Sequence, residues 1–365
     1  MQPVRRISLI DQTAEQLRQA VRGGRWSERL PGVLRLAAEC DVSTRVVRAA
    51  LRQIEAEGLI SGQGPGRSRG IAASAPCRID IPMHPLRVGI FFHDAVADRQ
   101  LGYMVELQHA LEAGGHVVFH AKKSQVELEY DLRRISRLIC ETPADAWVVG
   151  AGTHEVLKWF STHPVPSIAL FGRRRGLPIA GVGPDKVAAY TEVTRELIRL
   201  GHRRIVLLCR KLRRLPEPGS SERAYLKELA AHDIQVSQYN LPDWEETVEG
   251  FHALLSSLFQ VTPPTALIID ESPLVAAAQQ FLAAHHFLVP EHVSLVCSDN
   301  DASFAWCKPP ISHIRWAPGP VIRHVVRWAG NVSHQRVDLK QTQFPAEFVR
   351  GGTIGPAGKV RELQH

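Results

Sequence analysis

From Leu86 onward, short apolar runs alternate with segments of helical periodicity, and this alternation restricts the fold more than any other feature of the sequence. The runs are LRVGIFF, HVVFHA, AWVVGA, SIALFG, RIVLLC, ALIID and VSLVCS. Each of the first six precedes a helix-like segment, such as residues 101–113 after the first and 273–286 after the sixth. Apolar strands that alternate with helices indicate parallel sheets covered on both faces. Seven such units are more than the usual number of strands in one sheet, so we expect two α/β lobes.

The first 72 residues have a different pattern, which predicts three helices followed by a hairpin. Residues 8–23 place apolar side chains at helical spacing, and Gly23-Gly24 ends that helix. A second helix fits residues 32–40, and a third fits 44–57 with Ser43 as its N-cap. The predicted core residues of the three helices are Ala14, Leu17, Val21, Leu36, Ala37, Val47, Ala50, Leu51 and Ile54. Leu59-Ile60, a glycine-rich turn and residues 68–72 complete the hairpin.

The charge of this N-terminal part and the position of its third helix make it a candidate DNA-binding domain. Residues 1–73 contain twelve arginines, no lysine and seven acidic residues, which is a net charge of +5. A short turn before the third helix holds it clear of the surface, where its N-terminal side chains reach base edges in the major groove. The side chains offered for DNA are Ser43, Thr44, Arg45 and Arg48 on this helix and Arg67 and Arg69 on the hairpin tip. The alternative is a helical cap with a solvated charged face.

The stretches LPGVLRLAAECDVSTRVVRAALRQIEAEGLI and GPGRSRGI carry a family resemblance. Together, residues 8–72 resemble the GntR winged helix-turn-helix, which implies DNA binding. Two positions depart from the family pattern, because Leu34 and Thr44 stand where the family often has arginine. Arg48 matches the helix arginine of the family. These departures leave the preferred operator half-site open.

Polar residues follow four of the apolar runs. They are His93 and Asp94, Arg173 to Arg175, Asp270 and Glu271, and Asp299 to Asp301. Ligands on open parallel sheets bind beyond the carboxyl ends of the strands, where these groups converge. The alternative is the ordinary polarity of loops at strand ends.

Residues 86–355 resemble the LacI/GalR regulatory domain, which has a periplasmic-binding-protein-like fold. The resemblance is carried by LIRLGHRRIVLL, SERAYLKEL, PTALIIDES, VPEHVSLVCSDND and PPISHIRWAPGPV. It implies an effector site with Arg223, Trp244, Asp270, Asp299 and Trp316, to which the strand-end argument adds Asp94 and Arg173. Asp94 and Arg173 are expected from the earlier lobe, and Arg223, Asp270 and Asp299 from the later one. Asp270-Glu271 departs from the usual Asn-Asp of the family.

Carboxylates, an arginine and an indole suit a sugar, since they bind hydroxyl groups and cover an apolar ring face. Two of these side chains have a structural alternative. Trp244 would then be a core residue at a helix start, and Arg223 a surface helix charge.

The sequence therefore predicts a multidomain chain. Its parts are a small α+β winged helix-turn-helix (1–72), a linker (73–85), a two-lobed α/β periplasmic-binding-protein-like (type I) domain (86–355) and a C-terminal tail (356–365). The expected partners are double-stranded operator DNA, a small polar effector, expected to be a sugar, and a second copy of the chain in a homodimer. The expected function is transcriptional regulation, with repression as the first hypothesis.

Other classes of function find less support in the residues. GxSxG, HExxH and P-loop patterns are missing, and the six cysteines are scattered without CxxC spacing, so we expect no enzyme, cofactor or metal site. The glycines at 62–70 precede a proline-containing linker and not the helix of a nucleotide fingerprint. With neither a secretory h-region nor a membrane-length apolar stretch, the protein is expected to be cytoplasmic. The alternatives are a cytoplasmic solute-binding sensor and an enzyme acting on a small metabolite.

Overall fold

The computed structural model describes residues 9–22, 26, 29–56, 60–61, 69–71, 84–94 and 101–358. By its internal contacts the chain divides into two compact units. Unit 1 comprises residues 1–148, 164–168 and 322–338, and unit 2 comprises residues 149–163, 169–321 and 339–365.

Unit 1 begins with three helices, α1 (Leu9–Arg22), α2 (Val33–Cys40) and α3 (Thr44–Ala56). Their apolar faces share one small core, and all nine side chains predicted for it are buried. The helical periodicity of the sequence is therefore confirmed. Ser8 and Gly23-Gly24, at the two predicted ends of this helix, lie outside the described residues.

The turn between α2 and α3 is short because both of its ends are capped. Asp41 takes a left-handed conformation with φ 52°, which aspartate tolerates better than most residues. The backbone N–H groups of Asp41 and Val42 both donate to the carbonyl of Ala37, which closes α2. Ser43 Oγ then accepts from the N–H of Val46 at 3.3 Å, so Ser43 caps α3 as predicted.

Two short antiparallel strands, β1 (Ile60–Ser61) and β2 (Gly70–Ile71), form the predicted hairpin. The three helices and this hairpin are hereafter called the head. Ile60 is buried in the core of the head, and the N–H of Leu30 donates to the carbonyl of Arg69 at 2.9 Å. The hairpin is thus held against the helices at its base. Its tip, residues 62–68, lies outside the described residues.

The rest of unit 1 contains the parallel pair β3 (Arg87–Phe91) and β4 (Val117–His120) with helices α4 (Gly102–Ala113) and α5 (Leu132–Glu141). Gly89 on β3 is covered by the indole of Trp147, since a Cβ atom there would lie 2.4 Å from the ring. Three elements are divided between the two units: β5 (Ala146–Gly150), β6 (Ser167–Leu170) and α12 (Pro318–Ser333).

Six strands pair in unit 2 in the order β7-β12-β11-β10-β9-β8. They are β7 (Ala180–Asp185), β8 (Ile205–Leu208), β9 (Ala266–Ile269), β10 (Ser294–Cys297), β11 (Ser312–Trp316) and β12 (Gln341–Val349). All neighbours are parallel except β11 and β12. The helices of unit 2 are α6 (His154–Thr162), α7 (Val187–Arg199), α8 (Lys211–Arg214), α9 (Ser220–Ala231), α10 (Val248–Val261) and α11 (Ser272–Ala284), with a 3₁₀ turn at Ala302–Trp306.

Both faces of the parallel strands β8, β9 and β10 are buried. Val206 and Leu208 of β8 belong to one core cluster with Phe259 and Phe281, whereas Ile205 and Leu207 belong to a second. Alternate residues therefore enter opposite cores, which is why the strand sequences are uniformly apolar. None of the helices in the described part of the chain combines the length and the apolarity that crossing a bilayer requires.

Each predicted apolar run contains a strand, but two expectations about the sheet are wrong. The run SIALFG is followed by strand β7 and not by a helix, since the intervening Gly176 and Pro178 favour a turn. The sheet is also mixed and not purely parallel, because β12 returns antiparallel to β11. Three strands, β7, β11 and β12, have no counterpart among the seven runs.

Candidate functional site

The first candidate surface is the N-terminal end of α3 with its capping turn. Ser43, Arg45 and Arg48 are exposed, and Thr44 is half-buried. Arg45 and Arg48 are three residues apart and lie on the same side of the helix. The structure thus brings together four of the six side chains predicted to contact DNA.

The two hairpin arginines are less completely described. Arg67 lies outside the described residues. Arg69 is half-buried, and its Nε lies 3.5 Å from Oε2 of Glu55 on α3. This weak ion pair holds the base of the hairpin beside α3, a contact that the sequence alone did not indicate.

The second candidate surface is the carboxyl edge of the parallel strands in unit 2. Since β8, β9, β10 and β11 are parallel, the residues that follow them meet at one edge. The polar and aromatic side chains at this edge, hereafter the strand-edge cluster, are Lys186, Tyr190, Arg213, Glu222, Asp270, Ser298, Asp299 and Trp316. Three of them, Asp270, Asp299 and Trp316, were predicted.

Asp270 and Arg213 form the buried half of this cluster. Asp270 accepts from Ser298 Oγ at 3.1 Å, and its Oδ1 lies 3.3 Å from Nη1 of Arg213. Arg213 also donates from Nε to Glu222 Oε1 at 2.8 Å and from Nη2 to the Tyr190 hydroxyl at 3.3 Å. One guanidinium therefore bridges two carboxylates that are almost completely buried.

The ionisation of this half follows from its contacts. Burial alone lowers the pKa of Arg213, but the carboxylates of Asp270 and Glu222 outweigh that effect and hold the pKa well above its ordinary value. Burial raises the pKa of Tyr190, which therefore keeps its proton. The cluster thus offers a fixed cation and a neutral phenol beside two carboxylates.

Asp299 and Trp316 form the other half, in which the carboxylate is accessible and the indole is buried. The Trp316 Nε1–H donates to Asp299 Oδ1 at 2.7 Å, and Lys186 Nζ lies 3.3 Å from Asp299 Oδ2. Lys186 also donates to the carbonyl of Ser298 at 2.8 Å, which links the two halves. The side chain of Asp299 is 40% exposed, so this carboxylate is fixed in position and remains open to a ligand.

The remaining predicted effector residues have other described surroundings. Arg173 lies in unit 2 and donates to the carbonyls of Leu212 and Glu217 at 2.6 and 2.7 Å. Asp94 follows β3 and is half-buried. Arg223 is 44% exposed and contacts the carbonyl of Pro218 and, at 3.7 Å, the carboxylate of Glu217.

Trp244 is packed in a core of unit 2 and not at the surface. It is 8% exposed and contacts the ring of Phe251. Its Nε1–H donates to the carbonyl of Cys209 at 3.0 Å, and the guanidinium of Arg210 lies 5.9 Å from its ring centre. These contacts match the structural alternative for this tryptophan.

The sequence interpretation missed five members of the cluster: Lys186, Tyr190, Arg213, Glu222 and Ser298. Arg213 lies in the basic stretch RKLRR directly after β8, which is the signal that could have found it. Lys186 directly follows β7, whose sequence AGVGPD has too much glycine and proline to resemble a strand. Without that strand, Lys186 could not be assigned to the edge.

The strand ends carry two cysteines and several groups that can form hydrogen bonds. Burial raises the pKa of both Cys209 and Cys297, so these two thiols at the strand ends stay protonated and are weak nucleophiles. Carboxylates, a guanidinium, an ammonium and an indole N–H provide acceptors and donors for a polar, hydroxylated molecule.

Two family models match the chain. Residues 9–67 match the model described as bacterial regulatory proteins, gntR family, and residues 194–354 match the periplasmic binding protein-like domain. The chain therefore carries a GntR-type helix-turn-helix domain and a periplasmic-binding-protein-like domain. No curated protein matches the sequence.

Solved structures of transcription regulators share the fold at low identity. A LacI family regulator from Enterococcus faecium with bound ribose is 15% identical, with a TM-score of 0.60 over 74% of this chain and 99% of that one. The CelR–cellobiose complex is 17% identical, with a TM-score of 0.62 over 89% and 100%. The lac repressor dimer bound to operator and an anti-inducer is 16% identical, with a TM-score of 0.60 over 75% and 95%.

Proposed function

We propose that this chain, in which a GntR-type DNA-binding domain is joined to a LacI-like effector domain, is a transcriptional regulator whose operator affinity depends on a small polar effector. The observation that carries the proposal is the presence, on one chain, of a capped helix with exposed Arg45 and Arg48 and of the strand-edge cluster in unit 2. A DNA-binding helix does not by itself require a ligand site, and a ligand site does not require a DNA-binding helix. Together they match a ligand-binding domain that is coupled to a DNA-binding domain.

On the DNA side, α3 enters the major groove and its arginines read bases or phosphates. Arg67 and Arg69 then contact the neighbouring backbone. Two copies of the chain form a homodimer with two-fold symmetry and address a pseudo-palindromic operator. In this proposal the protein acts in the cytoplasm as a repressor.

On the effector side, a sugar or a related polyhydroxylated metabolite binds at the strand-edge cluster. Asp270 and Asp299 accept from hydroxyl groups, and Trp316, buried beside Asp299, orients that carboxylate through its indole N–H. Arg213 takes the role that the family resemblance assigned to Arg223, because Arg213 contacts Asp270 whereas Arg223 contacts the exposed Glu217. The bound sugars of two regulators with this fold, ribose and cellobiose, support this class of ligand.

The proposal assigns binding and not catalysis to the chain. It keeps the segment boundaries at 72, 85 and 355, and it keeps Asp94 and Arg173 as further effector contacts. Trp244 is assigned to the core, with support from its hydrogen bond to Cys209.

Two measurements on the full-length protein test this function. Selection from a random double-stranded DNA library should enrich a pseudo-palindromic site, and a sugar panel that includes ribose and cellobiose should contain a ligand that raises the melting temperature. A ligand at 100 times its Kd stabilises the folded state by about 2.7 kcal/mol. Failure to enrich any DNA sequence, or a ligand that leaves operator affinity unchanged, would contradict the proposal.

A further inference from the structure

A groove of about 540 Å³ lies in unit 2 at the opposite end of the strands from the strand-edge cluster. Arg203 and Arg204, which directly precede β8, line it, and so does Thr262, which lies between α10 and β9. The volume is in the range of small-molecule sites. Asp270 and Asp299 follow the carboxyl ends of the strands, so the groove and the strand-edge cluster are separate places in the fold.

Hydrogen bonds hold the walls of this groove in place. The Tyr239 hydroxyl donates to the carbonyl of Thr262 at 3.0 Å, and burial raises the pKa of Tyr239 to about 12, so the donor keeps its proton. Arg203 donates from Nη1 to the carbonyl of His232 at 2.7 Å. Asn240, also in the wall, donates to the carbonyl of Ile205 at 3.0 Å. The groove is therefore preformed, which lowers the entropic cost of binding.

The charge of the groove is not balanced by ion pairs. Within the described part of the chain, neither Arg203 nor Arg204 forms an ion pair, and Asp233 is the one carboxylate that lines the groove. Other arginines of unit 2 have carboxylate partners, for example Arg195 with Glu228 at 2.9 Å and Arg315 with Glu347. Arg203 and Arg204 thus bring two positive charges to the groove without a carboxylate partner in the described part of the chain.

We propose that this groove is a second binding site, for a small organic molecule that carries a phosphate group. Guanidinium groups match phosphate oxygens in bidentate geometry, and two cations beside one carboxylate leave a net positive charge that favours an anion. Ile234 and the ring of Tyr239 line the same groove and supply an apolar surface for the organic part. This inference does not depend on the proposed regulatory function.

Calorimetry on the full-length protein with phenyl phosphate and inorganic phosphate, at constant ionic strength set by NaCl, tests the proposal. Phenyl phosphate should bind more tightly than inorganic phosphate because only phenyl phosphate contacts the apolar wall. Arg203→Gln and Arg204→Gln should each weaken phenyl phosphate binding by roughly tenfold. Arg204→Lys keeps the positive charge but has no guanidinium group for a bidentate contact, so its loss of phenyl phosphate affinity should be smaller. This variant replaces Arg204→Gln if Arg204→Gln does not fold.

Three control variants locate the binding. Arg137→Gln, at an exposed arginine of α5 in unit 1, should bind phenyl phosphate as the wild type does. Arg48→Ala in the helix-turn-helix and Asp299→Ala in the strand-edge cluster should also leave it unchanged. No binding by the wild type, equal binding by the groove variants, or a loss in Arg48→Ala instead of them would each overturn the proposal.

Discussion

The indole N–H of Trp316 donates a 2.7 Å hydrogen bond to Asp299, and Lys186 Nζ lies 3.3 Å from the other oxygen of the same carboxylate. Asp299 is thereby oriented by two donors while 40% of its side chain stays exposed. A carboxylate held in this way is prepared to accept hydrogen bonds without further ordering. This relationship makes Asp299 the centre of the proposed effector site.

Replacing Trp316 by phenylalanine tests the orientation of Asp299. Trp316→Phe keeps an aromatic ring and removes the N–H donor, so effector affinity should fall by roughly tenfold while effector-free operator affinity stays unchanged. Calorimetric titration of the effector measures the change. The matched control is Trp306→Phe, since Trp306 is 90% exposed and lies outside the strand-edge cluster. Equal effector affinities in the wild type and Trp316→Phe would show that the donor has no role.

The two candidate arginines of the effector site should differ in stability and in response. Arg213→Met leaves the buried carboxylates of Asp270 and Glu222 without their cation, and we expect a loss of about 2–4 kcal/mol together with loss of effector binding. Arg223→Met removes an exposed 3.7 Å pair and should change stability by less than about 0.5 kcal/mol and leave effector binding intact. Urea denaturation and effector titration of both variants check this. An effector-blind but stable Arg223→Met would restore the assignment from the family resemblance.

Arginines of the head should contribute unequally to operator binding. Arg48→Ala should weaken binding to the selected operator by about 1–3 kcal/mol if Arg48 reads a base. Arg67→Ala and Arg69→Ala should weaken binding more evenly across sequences and flatten its salt dependence, as expected for phosphate contacts. Fluorescence anisotropy at several salt concentrations, with Arg137→Ala as a control distant in sequence, distinguishes these effects. The assigned roles are wrong if all three head variants bind like the wild type.

The stability of the protein should depend on pH through His202. This histidine is completely buried, with ring nitrogens 2.9 Å from Thr265 Oγ1 and 3.0 Å from the carbonyl of Gly355. Burial lowers its pKa below the ordinary value of 6.5. The unfolded chain then binds more protons than the folded one below pH 6.5, so the stabilising contribution is complete above pH 6.5 and is lost as the pH falls through the lower, folded pKa.

Denaturant unfolding between pH 5 and 8, compared between the wild type and His202→Asn, measures this contribution. The wild type should lose stability on acidification more steeply than the variant does. Parallel curves for the two proteins would mean that protonation of His202 is not coupled to folding.

The fold could be predicted where one physical signal dominates. Helical spacing alone places Leu36, Val47 and Leu51 in the head core, because the apolar face of each of the three helices packs against the other two. Apolar runs locate the strands that are buried on both faces. Strand β12, QTQFPAEFV, was missed because its side chains alternate between half-buried and exposed, and β7 was missed because of its glycines and proline.

The candidate site could be predicted where its residues follow strands that the apolar runs of the sequence indicate. Asp270 and Asp299 come directly after β9 and β10, so their convergence follows from the parallel sheet. Arg213 reaches Asp270 only because α8 folds back over the strand end, and no sequence period encodes that contact. Trp244 could equally pack or bind a ligand by sequence, and its hydrogen bond to Cys209 distinguishes the two.

The central claim, that an effector at the strand-edge cluster controls the head, is tested most directly by operator affinity of the wild type and Asp299→Ala with and without effector. Effector should change wild-type affinity by roughly 5- to 150-fold, the usual range of coupling between sites. Asp299→Ala should bind operator like the wild type, yet show no change when effector is added, while its melting temperature falls because the buried Lys186 loses its carboxylate partner. A full effector response in Asp299→Ala would contradict the account.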